Sequence, residues 1–277
     1  MSRSTVIILS LAFFLPFLTS CYGTTIPKTL SVRQQFTEGL AYESLSDYSR
    51  ALDRYRGILD DYPDINPWSQ QARLRTARIY NNRLSQPEKA ISFYKKFLRH
   101  HGTVDETKAS VLMELAKIYR GQDKKNEAID IYKQVVEEFD SLSQVQESYY
   151  NLGEIYYEKE QYEKAISSFQ SLVDQFPQGD LSDGALFKQA QAHKALEEYN
   201  QQLQTLLNLL NNHSDSDLYE YSVFLTIEVA VKLDRKDVGL KWAKKYRTNY
   251  SNGKYSKQVY DIVKDKWDVD LQPGQNE

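Results

Sequence analysis

A spacing constrains this chain more than any other feature. A small residue recurs at Ala51, Ala90, Ala128 and Ala165, at intervals that shorten from 39 to 38 to 37 residues. Four residues after each comes a ring: Tyr55, Tyr94, Tyr132 and Phe169. A second series of small residues interleaves with the first, at Gly39, Ala77, Ala116, Gly153 and Ala190. Three residues after each of these stands Tyr42, Tyr80, Tyr119, Tyr156 and, in the fifth, His193. Self-similarity at periods of 20–50 residues marks stacked supersecondary units rather than one closed core. Two small residues facing each other let antiparallel helices approach, and the rings fill the flanks. Continuing by 37 reaches Gln202 and Gly239, weaker matches that lie inside helical patterns. With 11 Gly and 7 Pro in 277 residues, the chain has too little turn chemistry for a loop-rich fold.

Local punctuation agrees with this register. Asn66-Pro67 places an N-cap before a proline at a helix start. Ser85 to Glu88, Thr103 to Glu106 and Ser143 to Gln146 fit the capping-box pattern. Helix follows helix with no strand signal, which predicts about twelve helices. Tyr255 to Trp267 reads as a terminal capping helix with Val259, Ile262 and Val263 on one face. Such arrays need ends that shield the last apolar interface. Residues 268–277 read as a flexible tail.

The clearest unit runs Tyr149-Tyr150-Asn151-Leu152-Gly153-Glu154-Ile155-Tyr156, then Tyr162, Ala165, Phe169, Leu172 and Pro177. It resembles the tetratricopeptide repeat. The expected fold is all-α: a solenoid of about six such hairpins over residues 31–267, with the capping helix last. Asp47-Tyr48-Ser49-Arg50-Ala51, Asp61-Tyr62-Pro63 and Pro67-Trp68-Ser69-Gln70-Gln71-Ala72 resemble the BamD family of β-barrel-assembly lipoproteins over residues 31–100. After that stretch the repeats stay regular where that family has a longer, irregular unit. The Leu152 to Tyr157 unit resembles the Tol–Pal-associated coordinators, and the pilotin lipoproteins share a lipobox and six repeats. These resemblances imply a scaffold in outer-membrane or envelope protein assembly. The alternative is a coordinator of peptidoglycan synthesis, cell division or a secretin or pilus apparatus.

The chain has a single cysteine, Cys21, which excludes an internal disulfide. Before it, Arg3 supplies a positive n-region. Val6 to Leu18 is apolar but, at about thirteen residues, too short to span a bilayer, which takes about 20. Leu18-Thr19-Ser20-Cys21 resembles the bacterial lipobox, so residues 1–20 read as a lipoprotein signal peptide. Cys21 is then the acylated first residue, carrying diacylglycerol and a further chain such as palmitate, and residues 21–30 form a short tether. Two or more acyl chains give stable anchoring. Tyr22, rather than aspartate, follows the cysteine, which implies the outer membrane with the body facing the periplasm.

In a tetratricopeptide array the first helix of each hairpin lines the inner surface. Three positions before each first-helix small residue stand Phe36, Leu74, Met113, Tyr150, Phe187 and Phe224. These either pack between neighbouring helices or form an apolar groove for a peptide or partner helix. Tyr157 lies on the same face. So do charges that change sign along the array: Arg78, Lys117 and Arg120, then Glu154 and Glu158. They are either a solvated face or a field that orients a bound segment.

Nothing in the chain points to catalysis. His100-His101, His193 and His213 lack metal-pair spacing, and neither a phosphate loop nor a nucleophile elbow is present. No cofactor is expected. The formal charge of -3 lacks the basic excess of a nucleic-acid binder. The partners expected are envelope proteins or peptide segments and, through Cys21, the lipid bilayer.

Overall fold

In a computed structural model, residues 31–271 are described. Among them the chain forms thirteen helices and no strand. It divides into two compact units, residues 1–75 and 76–277, the division falling within α3.

The first unit holds α1 (Val32–Ser44), α2 (Tyr48–Asp61) and the start of α3 (Trp68–Asn82). α1 begins with a true capping box. The Ser31 hydroxyl accepts from the Gln34 N–H, and the Gln34 side chain accepts from the Ser31 N–H. Asp47 caps α2 through the Arg50 N–H. Phe36, Tyr55 and Trp68 form its aromatic centre, with Phe36 5.7 Å from Tyr55 and 5.4 Å from Trp68. The Tyr55 hydroxyl donates to Glu43, which also pairs with Arg75 at 3.3 Å.

The second unit continues with α4 (Pro87–His100), α5 (Glu106–Gly121), α6 (Lys125–Glu138), α7 (Ser143–Glu158) and α8 (Tyr162–Gln175). It ends with α9 (Ser182–Ala195), α10 (Tyr199–Asn212), α11 (Tyr219–Lys232), α12 (Lys236–Asn249) and α13 (Ser256–Trp267). Each helix packs on the next from α4 to α13, and α5 on α7 and α7 on α9 also approach closely. One core therefore runs along the unit from Ala109 to Leu271.

The repeat register carries this core. Ala90, Ala128 and Ala165 are fully buried, as are Tyr94, Tyr132 and Phe169 one helical turn later. At Gly153 a Cβ would overlap the Phe169 ring, so close approach of α7 to α8 requires glycine there. At Gly239 a Cβ would overlap Trp267, the last residue of α13, so that glycine seats the terminal helix.

The turns correct part of the capping scheme. Each turn from a first to a second helix passes through a residue with positive φ: Ser46, Ser85, Asp123, Glu160, Glu197 and Asp234. Ser85 thus ends the turn in a left-handed conformation, and Gln86 precedes Pro87 without a side-chain cap. Thr103 does not cap α5. Asp105 does, accepting from the Lys108 N–H, while the Thr103 hydroxyl and His101 bind its carboxylate. Ser143 is already helical and Leu142 holds the N-cap position. α3 starts at Trp68, one residue beyond Pro67.

At the far end α13 buries Val259, Tyr260 and Val263, with Tyr260 taking the place expected of the half-buried Ile262. The expected tail is packed where it begins: Val269 lies against the core and Leu271 is 3% exposed. An apolar side chain at every second residue lets this extended segment continue burial past the helix.

Candidate functional site

Cys21, with the signal peptide and tether, lies outside the described residues. The first-helix slot does not present one continuous groove. Phe36 and Leu74 are buried in the first unit, and Met113 and Phe187 in the second. The Ser148 hydroxyl donates to the Met113 sulfur at 3.0 Å. Tyr150 and Phe224 are half-buried. Tyr150 meets the Phe169 ring edge-on at 5.8 Å, and Phe224 stacks at 4.7 Å on Tyr255, the N-cap residue of α13.

The charged residues of this face are tied to the next hairpin. Arg78 makes a two-pronged pair with Glu114, at 2.7 to 3.2 Å, and the Tyr94 hydroxyl donates to the same carboxylate. Burial, then this bond, pushes the Tyr94 phenol far above its usual range. Lys117 pairs with Glu147 at 2.9 Å. Arg120 donates to Asn151 and pairs with Glu158 at 3.0 Å, while Lys125 also pairs with Glu158. Glu154 pairs with Lys188 at 3.1 Å. The change of sign along the face is real, but these charges act as rungs between neighbouring first helices rather than as an open field.

The ladder has a register. Arg78–Glu114 and Glu154–Lys188 join the residue one past the first-helix small position to the residue two before it in the next hairpin. Between α5 and α7 those positions are Lys117 and Asn151, and the link is made by Lys117–Glu147 and Arg120–Glu158 instead. Between α9 and α11 the same positions are Gln191 and Leu225, and no ion pair among the described residues joins these two helices. There α9 and α11 approach less closely than α5 with α7 and α7 with α9, and they meet through Phe187 and Tyr221, whose rings lie 5.7 Å apart. A hollow of about 430 Å³ opens in the gap, with Tyr157 and Tyr221 on its walls and Leu225 on its floor. A second, of about 250 Å³, adjoins it and shares Lys194, Gln202 and Leu225. Pockets of roughly 300–1,000 Å³ are the usual size for specific small sites.

Gln202 occupies the position that Ala51, Ala90, Ala128 and Ala165 hold in the other hairpins. The residue is 4% exposed and lines both hollows, and its amide makes no hydrogen bond among the described residues. Glu228 is the next residue of the ladder series. It is half-buried and in no ion pair among the described residues; loss of solvent raises its carboxyl above the usual glutamate range, and Lys194 opposes that shift. Lys194 and Lys232 are exposed at the rim, the Lys232 ammonium lying 3.6 Å from the Tyr199 ring centre. Tyr157 was marked from the sequence, but Lys194, Gln202, Tyr221, Leu225, Glu228 and Lys232 were not. Their signal lay in the failing register itself, where Gln replaces Ala and an uncharged pair replaces a rung.

The chemistry available is recognition: aromatic walls, the amides of Gln191 and Gln202, and a rim of mixed charge. His193, in the slot of the repeat tyrosines, bonds Glu198 at 2.8 Å. Among the described residues no cluster of three His, Cys, Asp or Glu side chains could hold a metal ion. No helix there is long and apolar enough to cross a membrane.

Residues 36–102 and 113–180 match the family model of the tetratricopeptide repeat. Over these residues the chain carries tetratricopeptide repeats. Among solved structures, the apo form of RapI is similar over 83% of this chain and 68% of its own, with 15% identity and a TM-score of 0.58. The MamA protein aligns over 68% of this chain and 95% of its own, at 20% identity and a TM-score of 0.51. A tetratricopeptide repeat protein from Parabacteroides merdae covers 84% of this chain and 85% of its own, at 14% identity and a TM-score of 0.52. These likenesses show the fold, an all-α array of tetratricopeptide hairpins closed by a terminal helix. No curated protein sequence matches the chain. Tetratricopeptide arrays serve as protein–protein interaction scaffolds, because stacked hairpins present an extended surface.

Proposed function

We propose that this chain is a lipid-anchored scaffold that holds segments of other envelope proteins along the first-helix face of its second unit. The observation that carries the reading is the break in the ladder between α9 and α11, where a built hollow replaces an ion pair. Cys21 is the anchor: acylated after cleavage of residues 1–20, it holds the array to the outer membrane, facing the periplasm. The BamD-like stretch over residues 31–100 supports a role in envelope protein assembly.

Two measurements test this. Labelled palmitate is expected on the wild-type chain and not on Cys21→Ser, which should leave the membrane fraction. A photo-crosslinking residue at Tyr157 is expected to capture an outer-membrane barrel or a component of its assembly machinery. Capture of a cell-wall synthase or a secretin would replace assembly with coordination, and β-barrel levels unchanged on depletion would sink the assembly role.

A further inference from the structure

We infer that the hollow between α9 and α11 binds an extended peptide that seats a large apolar side chain next to a carboxylate, its main chain read by Gln202. This rests on the scaffold reading and gives it a ligand.

The main-chain contact follows from Gln202. A primary amide carries both donors and an acceptor, the same complement as a peptide unit. The Gln202 side chain lines both adjoining hollows and its amide makes no hydrogen bond among the described residues, so a ligand main chain can replace solvent there. The middle of a bound helix supplies no such partner, because its main-chain groups are spent on its own i to i−4 bonds. An extended segment has them unpaired. Gln202 therefore favours an extended ligand over a docked helix.

The apolar side chain follows from the walls. Tyr157, Tyr221 and Leu225 surround the larger hollow, and Tyr221 is itself held in a stack with Phe224 and Tyr255, 5.2 Å from the latter. A wall braced in this way is present before the ligand arrives, which reduces the ordering cost of binding.

The carboxylate follows from the rim. Lys194 and Lys232 join no ion pair among the described residues, whereas Lys117, Lys125 and Lys188 on the same series of first helices and turns each do. Glu228 offsets one of the two positive charges. The rim is left with a net positive charge facing the ligand, and an acidic side chain completes it.

The test is selection from a random twelve-residue peptide display library on the full chain in detergent, followed by affinity measurement with the selected peptides. Enriched sequences are expected to carry Phe, Tyr, Trp or Leu beside Asp or Glu, without helical periodicity, and to tolerate proline away from the anchor. Gln202→Ala should weaken them roughly 5- to 10-fold, the loss of a hydrogen-bonded pair. Lys194→Glu should weaken acidic peptides and shift enrichment toward basic ones. Circular dichroism melts check that each variant is folded. An absence of enrichment, basic or helix-patterned winners from the wild type, or an unaffected Gln202→Ala would each overturn the inference. Barrel crosslinks from Tyr157 in cells without peptide enrichment would leave the scaffold standing and remove this ligand. Enrichment on a chain that is never acylated would do the reverse.

Discussion

The hairpin of α7 and α8 and the hairpin of α9 and α10 share a turn and a register, yet do different things. In the first, Gly153 faces Phe169, Ala165 is fully buried and Glu154 reaches Lys188. Its small positions and its Glu154 are used to hold the neighbouring helices. In the second, Gln202 replaces alanine and Gln191 has only Leu225 to meet, so the backbones stand apart and space appears. A repeat array makes a binding site where it stops obeying its own repeat. The neighbours on either side supply the stability that the irregular unit gives up, as nearest-neighbour coupling in such arrays allows.

The sharpest way to break this comparison is to exchange the two residues at the small position. Ala165→Gln forces a long amide into a fully buried site, combining overpacking with an unsatisfied polar group, and should cost roughly 2–5 kcal/mol. Gln202→Ala should cost under about 1 kcal/mol while weakening peptide capture. Urea titrations followed by circular dichroism measure both. Equal losses at the two sites would mean that the fifth hairpin is packed like the fourth and that the hollow has no special standing.

Much of this was legible in the sequence, because close helix packing leaves a record in residue size. Ala51, Ala90, Ala128 and Ala165 gave the period, and their burial follows from it. Helix starts were less legible. Ser85, Thr103 and Ser143 have the right chemistry, but the turn to α4 uses its serine for positive φ and α5 takes its cap from Asp105. Side-chain type alone cannot say which polar residue in a turn wins the N–H. The candidate groove was half legible. The slot through Phe36, Leu74, Met113 and Phe187 marks the first-helix face, but those four side chains are buried. The open part depends on how far apart α9 and α11 stand, and only departures such as Gln202 hinted at it.

A second prediction tries to repair the missing rung. Leu225→Lys alone removes a side chain that is 7% exposed and should cost about 1.5–3 kcal/mol. Adding Gln191→Glu should recover about 0.5–1 kcal/mol, the worth of a partly exposed ion pair, and less in high salt. The coupling read from the double-mutant cycle should match that of Glu154 with Lys188, and the closed hollow should no longer select peptides. Zero coupling would mean that α9 and α11 are held apart by something other than the lost pair.

The turns should not distinguish the two hairpins. Glu160 and Glu197 have φ of 56° and 58°, a region costly for any side chain and open to glycine. Glu160→Gly and Glu197→Gly should each stabilise the chain by up to about 1 kcal/mol, by similar amounts. A gain at one turn only would show that the irregularity of the fifth hairpin extends beyond its packing face.

The smallest expected effect is a dependence on pH that belongs to the hollow alone. Glu228 faces Lys194 from α9 and the Tyr199 ring from α10, with Lys232 one turn along its own helix. Loss of solvent holds its carboxyl above the ordinary range despite Lys194. The folded chain therefore takes up this proton before the unfolded chain does as pH falls. A group raised in this way lowers stability as pH rises through the window between the ordinary glutamate value, about 4.3, and the raised one. Glu228→Gln is always neutral, so it should melt higher than the wild type at neutral pH, and the two should converge as pH falls to the ordinary value. The same substitution should strengthen capture of acidic peptides at neutral pH, since it leaves both rim lysines unopposed. A melting difference that stays constant with pH would trace to packing of the amide instead. The hollow would then keep its shape argument and lose its electrostatic one.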